Sequence, residues 1–296
     1  MCYAAIFWHF GDMCTLAIYF RAFADYPVIV AANRDEYLAR PALPPTLLCS
    51  EPRVVGGKDL RANGTWLGIN EHGIIAGLLN RRNGAAVNNP ELRSRGLLCL
   101  DALRCRTAAE AAETVARQSG ADYNPFNLLI ASRDQSFVAY NRFGQIELVE
   151  LTPGLHLLTN IDIDDFECPR ISRSYGRFAA LVCHPEFARD PVAHREELHR
   201  LLADHSTQLD PRTGDTIAGM SREEFEKLTD LERARVGGVR SLCVHLGEYG
   251  TCSSSLIFMG RDPGRIEHFF APGAPCTNSY QPVVTPFQVA TVSVAT

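Results

Sequence analysis

The chain has 296 residues, 46% hydrophobic and 21% charged, a globular balance with length enough for a substantial core. Its formal net charge is −5 and no stretch concentrates Lys and Arg, which excludes a general nucleic-acid binder because that role needs a basic stripe. No run approaches the ~18 consecutive apolar residues of a spanning helix, and the opening MCYAAIFWHF lacks the basic flank of an export signal, so the expectation is a cytoplasmic protein without a membrane span.

Residues 1–12 read as an extension ahead of a start at Met13, because the first strand pattern begins only after it. CTLAIYF (14–20) and YPVIVAA (26–32) are rich in β-branched and aromatic residues and predict two strands joined by a short turn. Pro41, Pro44 and Pro45 predict a loop. GGKDLRANGTWLGIN followed by EHGIIAGLLN gives two apolar runs broken at Glu71-His72-Gly73, a hairpin signal, with a second turn at Asn63-Gly64. From Pro90 to about Gln118 the composition turns to Leu, Ala, Arg and Glu. Thr107 ahead of AAEAAETVA, with Glu110 three residues on, predicts a capped helix.

Strand patterns resume at FNLLIAS, QSFVAYNR, QIELVEL and GLHLLTN. A helical block spans 170–206, and 207–240 reads as a polar loop with a short helix. SLCVHLG, SSSLIFM and RIEHFF predict the closing strands, and residues 277–296 a loose tail. Hairpin-length connections between most strands argue for mainly antiparallel sheets with helices on their outer faces, in one domain over 13–276. The ten cysteines form no CxxC pair and no Cys/His cluster of zinc-site spacing, so the expectation is reduced thiols and no metal.

Cys14 stands out by position. Removal of Met13 would leave it a free α-amine, of pKa ~7.7–8.0, beside a thiol of pKa ~8.5, so the amine can take the thiol proton without a histidine. A buried strand cysteine is the plainer alternative. AANRDE (31–36) places Asn33, Arg34, Asp35 and Glu36 at a strand end, where burial is costly unless they pair or bind something. Asn80 and Asn160 each close an apolar strand and could aim carboxamide N–H groups at a common oxyanion, or simply form turns. Arg81 and Arg82 could rim a pocket for an anionic ligand. Trp66 reads as a packing residue at a turn.

Together, Met13-Cys14-Thr15-Leu16-Ala17, AANRDEYLARP, GGKDLRANGTWLGIN, GLHLLTN and GTCSSSLIFM resemble the NRDE family, the transport and Golgi organisation protein 2 family, from Met13 to roughly Pro275. Cys252 departs from the family pattern, where Arg is expected. The chain is more distantly similar to the choloylglycine-hydrolase group of N-terminal nucleophile amidases. That similarity implies a four-layer αββα sandwich of α+β class, with Cys14 as nucleophile and Asp35 orienting its amine or thiol. It also implies Asn80 and Asn160 as oxyanion or amine-anchoring groups and Arg34 as an adjacent member of the site. Asn33, Glu36, Arg81 and Trp66 complete the candidate pocket. The implied activity is that of a cysteine amidohydrolase or acyltransferase on a small amide or acyl substrate, with no required cofactor. The alternative that the family resemblance implies is a non-catalytic binder of haem, acyl lipid or acyl-CoA in the same pocket.

Overall fold

The computed structural model describes residues 14–81, 88–204, 227 and 241–287. The extension, Arg82 and nearly all of the polar 207–240 segment lie outside the described residues. Two antiparallel sheets lie face to face. The first contains β1 (Thr15–Phe20), β2 (Val28–Tyr37), β10 (Gly154–Leu158), β12 (Tyr249–Met259), β13 (Ile266–Ala271) and β14 (Gln281–Pro282), in the order β10-β1-β2-β12-β13-β14. The short β11 (His245–Leu246) pairs with β12. The second sheet is a meander of β3 (Ala42–Ser50), β4 (Arg53–Asp59), β5 (Leu67–Asn70), β6 (Ile75–Asn80), β7 (Phe126–Ala131), β8 (Ser136–Arg142) and β9 (Gln145–Glu150).

Side chains alternate across a strand, and that period of two sorts the core into layers. Leu16, Ile18, Val28 and Val30 point inward, meeting Ile69, Ile75, Leu129 and Val138 of the other sheet. Ala17, Tyr19, Ile29 and Ala31 point outward, under α3 (Pro169–Val182), α4 (Pro185–Arg189) and α5 (Glu196–Leu202). The outer face of the second sheet packs Ala76, Leu128 and Ala139 against α1 (Arg95–Leu103) and α2 (Ala108–Ala116). The result is an αββα sandwich of α+β class, the fold that the family resemblance implies.

Local chemistry accounts for the element ends. Thr107 caps α2 by accepting the Glu110 N–H, and the Glu110 carboxylate accepts the N–H of Arg106, just outside the cap. Ser94 caps α1 by accepting the Gly96 N–H, without a reciprocating carboxylate. At the β5–β6 hairpin the buried Asn70 Oδ1 accepts the N–H groups of His72 and Ile74, while Gly73 takes φ +78°, a conformation side chains rarely adopt.

Four expectations need correction. The Pro41–Pro45 region is not a loop: β3 runs from Ala42 to Ser50 as an edge strand, with irregular register between Leu43 and Thr46, where Pro44 and Pro45 have no N–H to contribute. β2 does not stop at Ala32 but continues through the NRDE tetrapeptide to Tyr37, because β12 pairs with it along the whole length. Of SLCVHLG only His245 and Leu246 form strand. Before them, the Cys243 N–H goes to the Asp204 carbonyl and the Val244 N–H to the Thr251 hydroxyl. The stretch from Thr277 is not loose at its start, since β14 pairs with β13 and the Tyr280 hydroxyl lies 2.5 Å from Ser254 Oγ.

Candidate active site

Cys14 immediately precedes β1, half-buried, at the inner floor of a cleft of about 600 Å³. Its sulfur accepts the Asp35 backbone N–H at 3.3 Å and lies 3.5 Å from the Asp35 carbonyl. The Asp35 peptide thus meets the sulfur with both its groups, the N–H as donor and the carbonyl as acceptor of the thiol, and fixes its position. Behind Cys14 lies a pocket of about 30 Å³, lined by Leu16, Ala32, Leu67, Leu79 and Ser255 among others. Cys14, Arg34, Trp66 and Leu78 line both spaces, so the sulfur stands where the narrow inner pocket opens into the cleft.

The parity of β2 divides the NRDE tetrapeptide between two faces. Arg34 and Glu36 project into the cleft with Cys14. The Arg34 guanidinium stacks 4.4 Å over the Trp66 ring and lies 3.8 Å from Glu36 Oε2, which in turn is 3.6 Å from Arg40. Trp66 is therefore more than a turn residue. Gly57 leaves it room, since a Cβ there would come within 2.2 Å of the indole.

Asn33 and Asp35 have side chains that serve the other face. The Asn33 carboxamide donates to the carbonyls of Leu202 at 2.9 Å and Leu242 at 2.8 Å, and accepts from Ser254 at 2.6 Å. The group expected at a ligand is thus built into the protein interior, fastening β2 to the end of α5 and to the turn before β11.

The Asp35 carboxylate is fully enclosed. It accepts from Arg170 at 3.0 Å and from the Thr251 hydroxyl at 2.6 Å, and Arg170 also reaches the Thr15 hydroxyl at 2.9 Å. Burial pushes the Asp35 carboxyl up to about 6, against the opposing pull of Arg170 and Thr251. Through its backbone Asp35 holds the Cys14 sulfur; through its carboxylate it anchors a buried network beside Thr15.

Asn80 ends β6 on the cleft wall. Asn160, just past β10 and buried, donates from Nδ2 to the Asn80 backbone carbonyl at 2.8 Å. The two asparagines expected to act together do meet, but by locking one strand end to the other. Arg81 departs from expectation: it donates to Asn127 at 2.9 Å and to Asp162 at 2.5 Å, away from the cleft lining. The arginines that do line the cleft are Arg34, Arg40, Arg61, Arg93 and Arg95, with the carboxylates of Glu36 and Asp59, while the Asp35 carboxylate is enclosed on the other face.

Arg170, Thr251 and Asn127 escaped the sequence reading. Arg170 lies 135 residues from Asp35, and its one signal is an arginine on the helix face that carries Ile171, Ser174, Phe178 and Leu181. Asn127 cradles the loop around Asn160 by donating to the carbonyls of Thr159 at 2.8 Å and Ile161 at 2.6 Å. Cys252, where Arg was expected, sits at a bulge between Thr251 and Ser253 and directs its thiol to the Glu36 carbonyl at 3.3 Å.

The sequence profile of the family described as Transport and Golgi organisation 2 matches residues 13–269. The chain belongs to this family. The Transport and Golgi organization protein 2 homolog of Bos taurus is 29% identical over 248 residues, which is 80% of this chain and 83% of that protein. Among solved structures, the Caenorhabditis elegans ortholog of N-acylethanolamine-hydrolyzing acid amidase is similar with a TM-score of 0.43 and 16% identity, over 55% of this chain and 77% of its own. Penicillin V acylase from Agrobacterium tumefaciens is similar with a TM-score of 0.41 and 13% identity, over 88% of this chain and 83% of its own. Both structural likenesses are weak, and the four-layer architecture of this family member is read from its own sheets and helices.

Among the described residues, no helix is long and apolar enough to cross a membrane.

Proposed function

We propose that this Transport and Golgi organisation 2 family member is a cysteine amidohydrolase or acyltransferase of the N-terminal nucleophile type, with Cys14 as the attacking group. The observation that carries this reading is the position of the Cys14 sulfur, at the junction of the inner pocket and the cleft with the Asp35 N–H directed at it. The α-amine freed by removal of residues 1–13 takes the thiol proton. The sulfur then attacks the acyl carbon, the carbon–nitrogen bond breaks, and the departing amine leaves with that proton. Water or an acceptor amine cleaves the resulting thioester and regenerates the thiol.

In this reading Asn80, which lines the cleft, donates to the tetrahedral oxyanion, and Asn160, bonded to the Asn80 carbonyl, fixes the strand end that carries it. Loss of one such donor costs on the order of 100-fold or more in turnover. Five arginines against the two carboxylates of Glu36 and Asp59 in the lining favour a substrate with an anionic group near the scissile bond. Arg34, held over Trp66, is the cation nearest in sequence to that task.

The test is covalent trapping by an activated acyl ester, followed by intact mass and peptide mapping. A single acyl adduct on Cys14 is expected, absent from Cys14→Ala, with the melting temperature of that variant unchanged. An adduct that persists in Cys14→Ala overturns the assignment. A wild-type protein that forms no adduct yet retains haem or an acyl lipid through purification favours the non-catalytic alternative.

A further inference from the structure

Cys243, His245 and Cys276 converge on one point although 31 residues separate the last two. The sulfurs of Cys243 and Cys276 are 3.6 Å apart, and His245 Nε2 lies 3.5 Å from the first and 3.1 Å from the second. Sequence spacing gave no sign of this cluster, because Cys276 belongs to the turn after β13 while Cys243 and His245 precede β12. From these distances we infer that Cys243, His245 and Cys276 form a binding site for a zinc-like, thiolate-preferring divalent cation, outside the Cys14 cleft and independent of any activity there.

Tetrahedral zinc with bonds of ~2.3 Å to sulfur and ~2.0 Å to nitrogen sets its ligands apart by about 3.8 Å between sulfurs and about 3.6 Å between sulfur and nitrogen. The Cys243–Cys276 and Cys243–His245 separations fall just inside those edges, and the His245–Cys276 separation of 3.1 Å is about 0.5 Å shorter. A disulfide fits less well: the sulfurs would have to close by about 1.5 Å to reach bonding distance. Two thiolates and one imidazole are the donor set of a borderline-soft cation rather than of magnesium or calcium, which take oxygen. Each thiol releases its proton to solvent as its bond to the metal forms, so binding tightens as pH rises. Three protein donors leave a fourth vertex for water or a further ligand.

The location gives the ion a mechanical role. The Cys243 N–H binds the Asp204 carbonyl, and the preceding Leu242 carbonyl receives Asn33. The following Val244 N–H binds the Thr251 hydroxyl, which itself donates to Asp35. Pro275, beside Cys276, accepts from His199 at 2.7 Å. A cation here clips the turn before β11 to the turn after β13, and so braces two residues, Asn33 and Thr251, that hold the β2 end next to Cys14.

The full-length chain, kept reduced and stripped by chelator, is titrated with Zn(II) against a chromophoric competitor and separately with Co(II). One equivalent is expected, with the thiolate charge-transfer and intense visible bands of tetrahedral cobalt. His245→Ala, an exposed position expected to leave the apo fold intact, and Cys276→Ser should each weaken binding by at least the ~10–100-fold that loss of a ligand's supporting partner costs. Cys14→Ala should bind as the parent does, which separates this site from the cleft. Absence of a bound equivalent overturns the proposal. So does affinity unchanged in both ligand variants, or a Cys243–Cys276 disulfide found by peptide mapping of the freshly purified protein.

Discussion

Two buried titratable side chains set opposite pH dependences within the same acid range. Asp35 is raised from 3.8 to about 6 by burial, so the folded state binds its proton more tightly than the unfolded chain does. The associated stability is fully present below pH ~4 and is lost as pH rises through about 6. His268, on β13 opposite Ile257, is lowered from 6.5 to about 3 by burial, and neither ring nitrogen has a partner among the described residues. Its contribution runs the other way: present above pH ~6.5 and lost progressively as pH falls toward about 3. The two slopes oppose one another between pH ~4 and ~6. His268→Phe removes one of them. Relative to the parent, this variant should gain about 2 kcal/mol on going from pH 7.5 to pH 5, seen in denaturant unfolding at both values. A difference between the two proteins that stays constant with pH would mean that His268 does not titrate in this way.

At the scale of elements, β2 carries most of what distinguishes this chain. Its NRDE tetrapeptide was legible in the sequence as a site, and its period of two could have shown that Arg34 and Glu36 share one face while Asn33 and Asp35 share the other. What the sequence did not contain was the partner list. Arg170, Leu202, Leu242 and Thr251 reach β2 across 135 to 216 residues, and no local pattern encodes which distant group satisfies a buried carboxylate or amide. The same gap hid the fate of Arg81, whose guanidinium is drawn off by Asn127 and Asp162.

Where local chemistry decided the outcome, the reading was closer. The Thr107 cap and the hairpin at Glu71-His72-Gly73 needed only their own neighbours. The prolines of β3 misled because an edge strand tolerates missing donors that a central strand does not. The role given to Asn33 as a tie between β2, α5 and the turn before β11 has a measurable consequence. Asn33→Ala leaves the carbonyls of Leu202 and Leu242 without their donor and should cost about 2–4 kcal/mol in denaturant unfolding, summed over two buried hydrogen bonds. A loss below about 0.5 kcal/mol would place Asn33 outside the framework and return it to the ligand.

Across the molecule, two sheets press a shared apolar layer between them and each is backed by helices. This architecture was readable from strand order and hairpin spacing together with the family resemblance, since antiparallel neighbours with amphipathic helices between strand groups leave few other packings. It brings the first described residue, Cys14, to the junction of a small pocket and a larger cleft, and the chemistry proposed there depends on what precedes that residue. With residues 1–13 attached, Cys14 has an amide nitrogen and no built-in base. The most direct measurement is the intact mass and N-terminal peptide map of the protein made from its native gene. A mature chain that begins at Cys14 with an unblocked amine is the expected result. A chain that begins at Met1 or Cys2 would contradict the N-terminal nucleophile mechanism.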